Sequence, residues 1–310
     1  MENILHILNG DTAIAPLYKS GIRGDHLVWR EVLSEGPINH PFATEEFWQE
    51  RNSYLTTAFD LNHNEYLAQI EVPFKKVIDQ IETFNEICLW FEYDLFCQIN
   101  MIALINYLGQ IRRPHLQLTL ICAGEIEGSD QLYGLGQLNP DQFQLLFKNR
   151  LKLGTREIEY ANEVYNAYTD HDAESLYNYV LMPFNEFKYL NSALESHMRR
   201  FPYSDTGLTE IESKIVSLIK SGIKNESKIV SALLKWQKHY GFGDLQYFLI
   251  LKSMKGLFSD YATLQLKEDL SFLHVEKMMD RNQQLGGACL KDWVYDVNEK
   301  TLTPRSQRLG

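Results

Sequence analysis

The chain has 310 residues, 45% of them hydrophobic and 12% aromatic, and a net charge of −11, the make-up of an ordinary globular protein with room for two or three cores. No stretch approaches the ~18 to 20 consecutive apolar residues of a membrane span, and an acidic Glu2 ahead of a short apolar run is unlike a signal peptide, so a cytoplasmic protein without membrane contact is expected. Cys88, Cys97, Cys122 and Cys289 stand apart in apolar surroundings, without zinc or disulfide spacing, and read as buried free thiols.

Residues 4–8 form an apolar run that reads as a buried strand, and Asn9, Gly10 and Asp11 follow it. Asp11 or Thr12 is placed to cap a short helix ending near Gly21, an order that points backbone N–H groups and a positive dipole end at whatever lies above the turn. Gly10 permits close backbone approach, Asn9 can donate to a phosphate or carbonyl, and Asp11 can hold a ribose hydroxyl or a metal ion. The alternative for Asp11 is a plain cap; neither the Rossmann nor the Walker A glycine spacing is present.

A second strand at 26–29 runs into Trp29, Arg30 and Glu31, then Glu35, Gly36 and Pro37. Arg30 between carboxylates fits an internal ion-pair network or a bidentate grip on an anionic ligand. Helical stretches at 43–59 and 66–84 lead to a strand at 87–91, a helix at 95–109 and a strand at 116–122. In the third strand Trp90, Glu92 and Asp94 alternate, so an extended chain puts them on one face with Leu89 and Phe91 on the other. Asp94 can also cap the helix that follows, with Gln98 one turn on. Two carboxylates at a strand end suit a divalent cation such as Mg²⁺, or an acid/base pair with separated pKa values. If this strand neighbours the first, Glu92 and Asp94 approach Asp11. The alternative is a cap beside a solvent-facing Glu. Apolar strands alternating with helices predict an α/β ligand-binding domain over 1–125, with a mostly parallel sheet between helices.

Residues 126–203 open on a loop with Gly128, Gly134 and Gly136 and continue as helices at 139–147 and 156–168, expected as a helical extension or lid. Gly134, Leu135, Gly136 and Gln137 read as an ordinary loop or as a phosphate cradle. Pro202, Ser204, Asp205 and Gly207 mark a turn-rich linker. Beyond it, helices at 209–221, opened by a Thr209 and Glu212 capping box, 226–234 and 244–257 precede strand-like pieces at 263–266, 293–297 and 301–303, the order of a winged-helix-like α+β domain over 204–310. Residues 206–310 hold 15 Lys and Arg against 12 Asp and Glu, while the chain as a whole is acidic. Lys220, Lys224, Lys228, Lys235 and Lys238 can meet DNA phosphates; the alternatives, a solvated face or a partner-protein dock, are preferred here.

His6 to Asp11 as His-Ile-Leu-Asn-Gly-Asp, Trp29 to Glu31, and Glu35 to Pro37 resemble a bacterial family catalogued as domain of unknown function 1835, as do Leu89 to Leu95 with Gln98, Gly134 to Leu138, and Phe201 and Pro202 with Gly207 to Thr209. The resemblance spans most of the chain and implies no established activity; it points to Asp11, Glu92 and Asp94 as shared site positions. The expected function is a metal-assisted enzyme acting on a phosphorylated or nucleotide-like small molecule. Asp11, Glu35, Glu92 and Asp94 are the catalytic candidates; Asn9, Gly10, Arg30, Glu31 and Gln98 bind ligand; Asp11, Glu92 and Asp94 hold the cation. The alternative is a ligand-sensing regulator whose last domain contacts a partner protein or DNA, and self-association stays open.

Overall fold

The computed structural model describes residues 3–305; Glu2 and the last residues of the expected third segment lie outside it. Its centre is a five-stranded sheet. Strand β1 (Ile4–Asn9) is fully buried, and β2 (Asp25–Trp29) pairs with it in parallel after helix α1 (Ile14–Ser20). A two-residue strand β3 (Gly36–Pro37), helix α2 (Glu45–Phe59), a single turn α3 (His63–Tyr66) and α4 (Val72–Asp79) come next. The chain re-enters the sheet as β4 (Glu86–Glu92), crosses through α5 (Leu95–Ile111) and returns as β5 (Gln117–Ala123). The order is β2-β1-β4-β5, all parallel, so the fold is the expected α/β type, with the chain reversing its direction of growth between β1 and β4.

Alternation sorts the strand side chains into two layers. Leu5, Ile7, Trp29, Ile87, Leu89 and Phe91 face α5 and join a core that extends to Leu302; Ile4, Leu8, Cys88, Trp90 and Ile121 face α1 and form a second core. Helix α5 is buried on most sides and mainly apolar because it lies between the sheet and two later helices. Of these, α7 (Thr155–Thr169) follows α6 (Pro140–Lys148) and the two-residue strand β6 (Leu151–Lys152), and α9 (Leu190–Met198) follows α8 (Ala173–Leu181). The segment expected as an extension or lid is therefore integral. Its β6 adds an antiparallel edge to β5, α7 packs along α5, and α6 covers the other face, stacking Phe143 on Trp90 with centroids 4.9 Å apart.

The helix expected at 66–84 is broken. Pro73 has no N–H to offer the Gln69 carbonyl one turn back, the backbone widens into a π-turn at Leu67–Glu71, and Arg30 Nη1 donates to that carbonyl at 3.2 Å. At the C-terminal side, α10 (Glu210–Lys220) is opened by the predicted box, in which Thr209 Oγ1 accepts from the Glu212 amide and Glu212 Oε2 from the Thr209 amide. Helices α11 (Glu226–Trp236) and α12 (Asp244–Ser253) follow, then a ribbon of β7 (Phe258–Asp260) with β8 (Gln265–Leu266). The helix expected to reach 257 ends its α-form at Ser253 and tightens into a 3₁₀ turn.

Helix α13 (Phe272–Met278), β9 (Gln284–Gly286), β10 (Ala288–Cys289) and the hairpin β11 (Trp293–Asp296) with β12 (Thr301–Pro304) are the last elements among the described residues. Strand β9 pairs in parallel with β3, bringing residues 285 and 36 side by side. The turn at 201–207 is no free linker: Phe201 and Pro202 are buried, and Tyr203 bridges Tyr295. One hydrophobic core runs through all three expected segments.

Candidate functional site

The carboxyl ends of β1 and β4 meet where open parallel sheets bind ligands. Among the described residues, one cluster of metal-ligating types stands there: Glu92, Asp94 and Cys97, with ligand atoms all within 4.8 Å of one another. Glu92 ends β4. Asp94 is the N-cap of α5, its Oδ1 accepting from the Cys97 amide at 2.8 Å, and Cys97 lies on the same side of the first turn. Asn9 Nδ2 donates to Cys97 Sγ at 3.0 Å, so the end of β1 is hydrogen-bonded to this group. Gln98 sits one turn on, as its spacing predicts; its Nε2 donates to the Glu92 carbonyl at 2.6 Å, while its Oε1 is buried without a partner.

Burial sets the electrostatics. It pushes the Glu92 carboxyl up to about 7, helped by the Asp94 charge and opposed by the Leu135 amide, which donates to Glu92 Oε1 at 2.7 Å. Asp94 is raised by burial against the hydrogen bonds it accepts from Cys97, and the Cys97 thiol is pushed well above its ordinary range by burial and then by Asp94. A largely buried carboxyl that titrates near neutrality is suited to proton transfer.

Two glycine segments close over the cluster. A Cβ on Gly134 would lie 2.7 Å from Glu92 Oε2, and one on Gly241, whose φ is +68°, would lie 2.2 Å from the Asp94 carboxyl carbon. The amides at the start of α5 are occupied: Leu95 donates to the His239 carbonyl at 2.7 Å and Phe96 to that of Tyr240 at 3.2 Å. Neither this helix end nor the Gly134 turn is open to a phosphate, since Gly134 N donates to Gln137 Oε1 and Leu135 N to Glu92.

The other candidates are placed apart. Asp11 caps nothing; Gly10 is at the cap position of a 3₁₀ turn, and the Asp11 carboxylate forms a two-pronged, largely exposed pair with Arg30 at 2.6 and 2.9 Å. That pair lowers the Asp11 carboxyl pKa, mainly through the hydrogen bond from Arg30. Arg30 thus joins neither Glu31 nor Glu35, so of its two expected roles the ion-pair network among these three is not formed. Glu31 is fully buried and holds Arg51, a residue the sequence reading passed over. Arg51 donates Nε to Glu31 Oε1 at 2.9 Å, Nη1 to the carbonyls of Glu35 and Pro37 at 2.7 and 2.9 Å, and Nη2 to that of Val32 at 2.9 Å; Tyr66 donates to Glu31 Oε2 at 2.8 Å. The segment from Glu31 to Pro37 is a loop wound around this guanidinium. Asn100 secures it from α5, donating to Asn9 Oδ1 at 2.8 Å and to the Glu31 carbonyl at 2.7 Å. Glu35 points elsewhere and pairs with buried Arg200 at 2.8 Å. Trp90 is a packing residue, its Nε1 donating to His6 Nδ1 at 3.1 Å.

Cys97 carried one signal, its helical i, i+3 spacing from Asp94; Arg51 and Arg200 carried none. Lys220, Lys224, Lys228, Lys235 and Lys238 are all exposed, whereas α12 turns inward, Gln246 reaching Glu35. Compared with known proteins, the chain matches no family model, and no curated protein is detectably similar to it.

Proposed function

We propose that the chain is a metal-assisted enzyme acting on a phosphorylated or nucleotide-like small molecule, with Glu92 as the proton-transfer group and Asp94 and Cys97 as cation ligands. The observation that carries this reading is the Glu92, Asp94 and Cys97 triangle within 4.8 Å at the carboxyl end of the sheet. A thiol among carboxylates moves the preference from Mg²⁺ towards Zn²⁺ or Co²⁺, because sulfur is a soft donor. With the α5 and Leu135 amides engaged, an anionic group of the substrate would pair with Arg30 in exchange for Asp11. Membership of the bacterial family whose motifs the chain resembles is part of the same proposal, resting on those motifs in the sequence.

The test is titration of the full chain with Co²⁺ and Zn²⁺, followed by thiolate-to-cobalt absorption and by the melting temperature. A thiolate band that Cys97→Ser abolishes is expected; no band and no shift with any divalent cation would remove the metal from the proposal. The regulator reading is favoured by one observation, the five exposed lysines beside α10 and α11, but α12, the third helix of that unit, is turned against the rest of the chain.

A further inference from the structure

The Glu35 carboxylate is absent from that site, and it stands at a cavity of about 370 Å³ between α2, α12 and the 280–283 loop. We propose that this cavity binds an alkylammonium group carried on an apolar body. Glu35 is buried, and polar groups from three distant segments converge on it: Arg200 Nη2 at 2.8 Å and Gln246 Nε2 at 3.4 Å on Oε1, and Gln283 Nε2 at 3.5 Å on Oε2. Arg200 satisfies one oxygen and leaves the other with only a long amide contact. The charged side chains lining the cavity are both acidic, Glu35 and Asp280, and its walls include Phe59, Leu249 and Ile250. No cationic side chain lines the cavity, and although Arg200 behind Glu35 offsets part of its charge, the oxygen that Arg200 leaves free and the Asp280 carboxylate keep the lining acidic, which favours an ammonium over an anion. Gly36 shapes the wall: its φ is +74°, and a Cβ there would stand 2.4 Å from the Tyr54 ring that lines the cavity. The chemistry suits a free amine or a lysyl side chain alike.

Calorimetric titration of the full chain near neutral pH with benzylamine, benzyl alcohol and Nα-acetyl-lysine methylamide tests this. Saturable benzylamine binding at least about tenfold tighter than that of the isosteric alcohol is expected. Comparable binding of the lysine derivative assigns the site to a lysyl side chain, and its failure assigns it to a free amine. Glu35→Gln should abolish the preference for amine over alcohol. Should that variant unfold through loss of the Arg200 pair, Leu249→Trp fills the cavity without touching the pair and should abolish binding in a chain that still melts cooperatively. Equal affinity for amine and alcohol, no benzylamine binding by the wild-type chain, or undiminished binding in Leu249→Trp would overturn the proposal.

Discussion

Replacing Arg51 by Met is expected to be among the most damaging single changes in the chain, and the way the damage divides tests how the loop is held. The substitution roughly keeps volume but strands the buried Glu31 carboxylate and withdraws donors from the Glu35 and Pro37 carbonyls; Val32 O keeps the Glu35 amide at 2.9 Å. Breaking a buried ion pair from one side costs about 3–5 kcal/mol, and each deprived buried carbonyl adds about 1–3 kcal/mol. A loss of at least about 5 kcal/mol is therefore expected, equal to the whole stability of a domain at the low end of the usual range of about 5–15 kcal/mol. The double variant Glu31→Leu with Arg51→Met removes the stranded charge. If the pair were a simple salt bridge, that variant would return to wild-type stability or above. Here the two carbonyls remain without the guanidinium and Tyr66 loses its acceptor, so a residual loss of about 2 kcal/mol or more should persist. Guanidinium denaturation followed by tryptophan fluorescence reads both values. Full recovery in the double variant would refute the carbonyl clamp and reduce Arg51 to a counter-ion.

The Glu92 carboxyl, raised to about 7 from 4.5, binds its proton more tightly when folded, so it should make stability fall as pH rises from 4.5 to 7, by up to about 3 kcal/mol; Glu92→Gln should flatten that decline in denaturation curves measured across the range. Gly134→Ala sets a methyl against the same carboxyl and should lower stability by about 1–3 kcal/mol, with a changed pH dependence that Gly128→Ala, in open space but at φ +82°, does not share. Asp11→Asn breaks an exposed pair and should cost less than about 1 kcal/mol by the same assay; a larger loss would mean that Arg30 positions the Gln69 turn. For the full chain and mixed-sequence duplex, binding that weakens steeply with salt, with a log–log slope of about −0.9 per phosphate, would promote the regulator reading; none is expected, because α12 faces inward.

The parallel sheet was legible because buried strands of this type are near-continuous apolar runs, as at 4–8 and 87–91, and because Asp94 and Thr209 announce their helices through capping chemistry. Several of the elements that escaped are too short to carry a period: β3, β6 and β10 have two residues each, β7 and β9 three. Pro73 was visible and still overlooked, since the apolar spacing on either side carried the helix through it. In the candidate site the pair at Glu92 and Asp94 was readable from alternation; Cys97 is the buried free thiol its apolar setting predicts, and only its place beside that pair went unread. The fates of Glu31 and Glu35 could not be read at all. Each is decided by an arginine on another element, and Arg51 and Arg200 lie in segments whose local pattern says only helix or helix end.

Those two acids also differ in when they can be satisfied. Glu31 meets Arg51 after 20 more residues have been made, while Glu35 waits for Arg200, 165 residues on, and for Gln283, 248 residues on. At translation rates of about 5–20 residues per second, the Gln283 contact lags by roughly 12–50 s. Throughout that interval the nascent chain carries a wound Arg51 loop with β3 lacking β9 and an acid destined for the interior still facing water. Solvation of Glu35 would hold the late closure open until the C-terminal partners emerge, so truncated chains ending before Gln283 should expose the β3 edge and be the forms most readily captured by chaperones during synthesis.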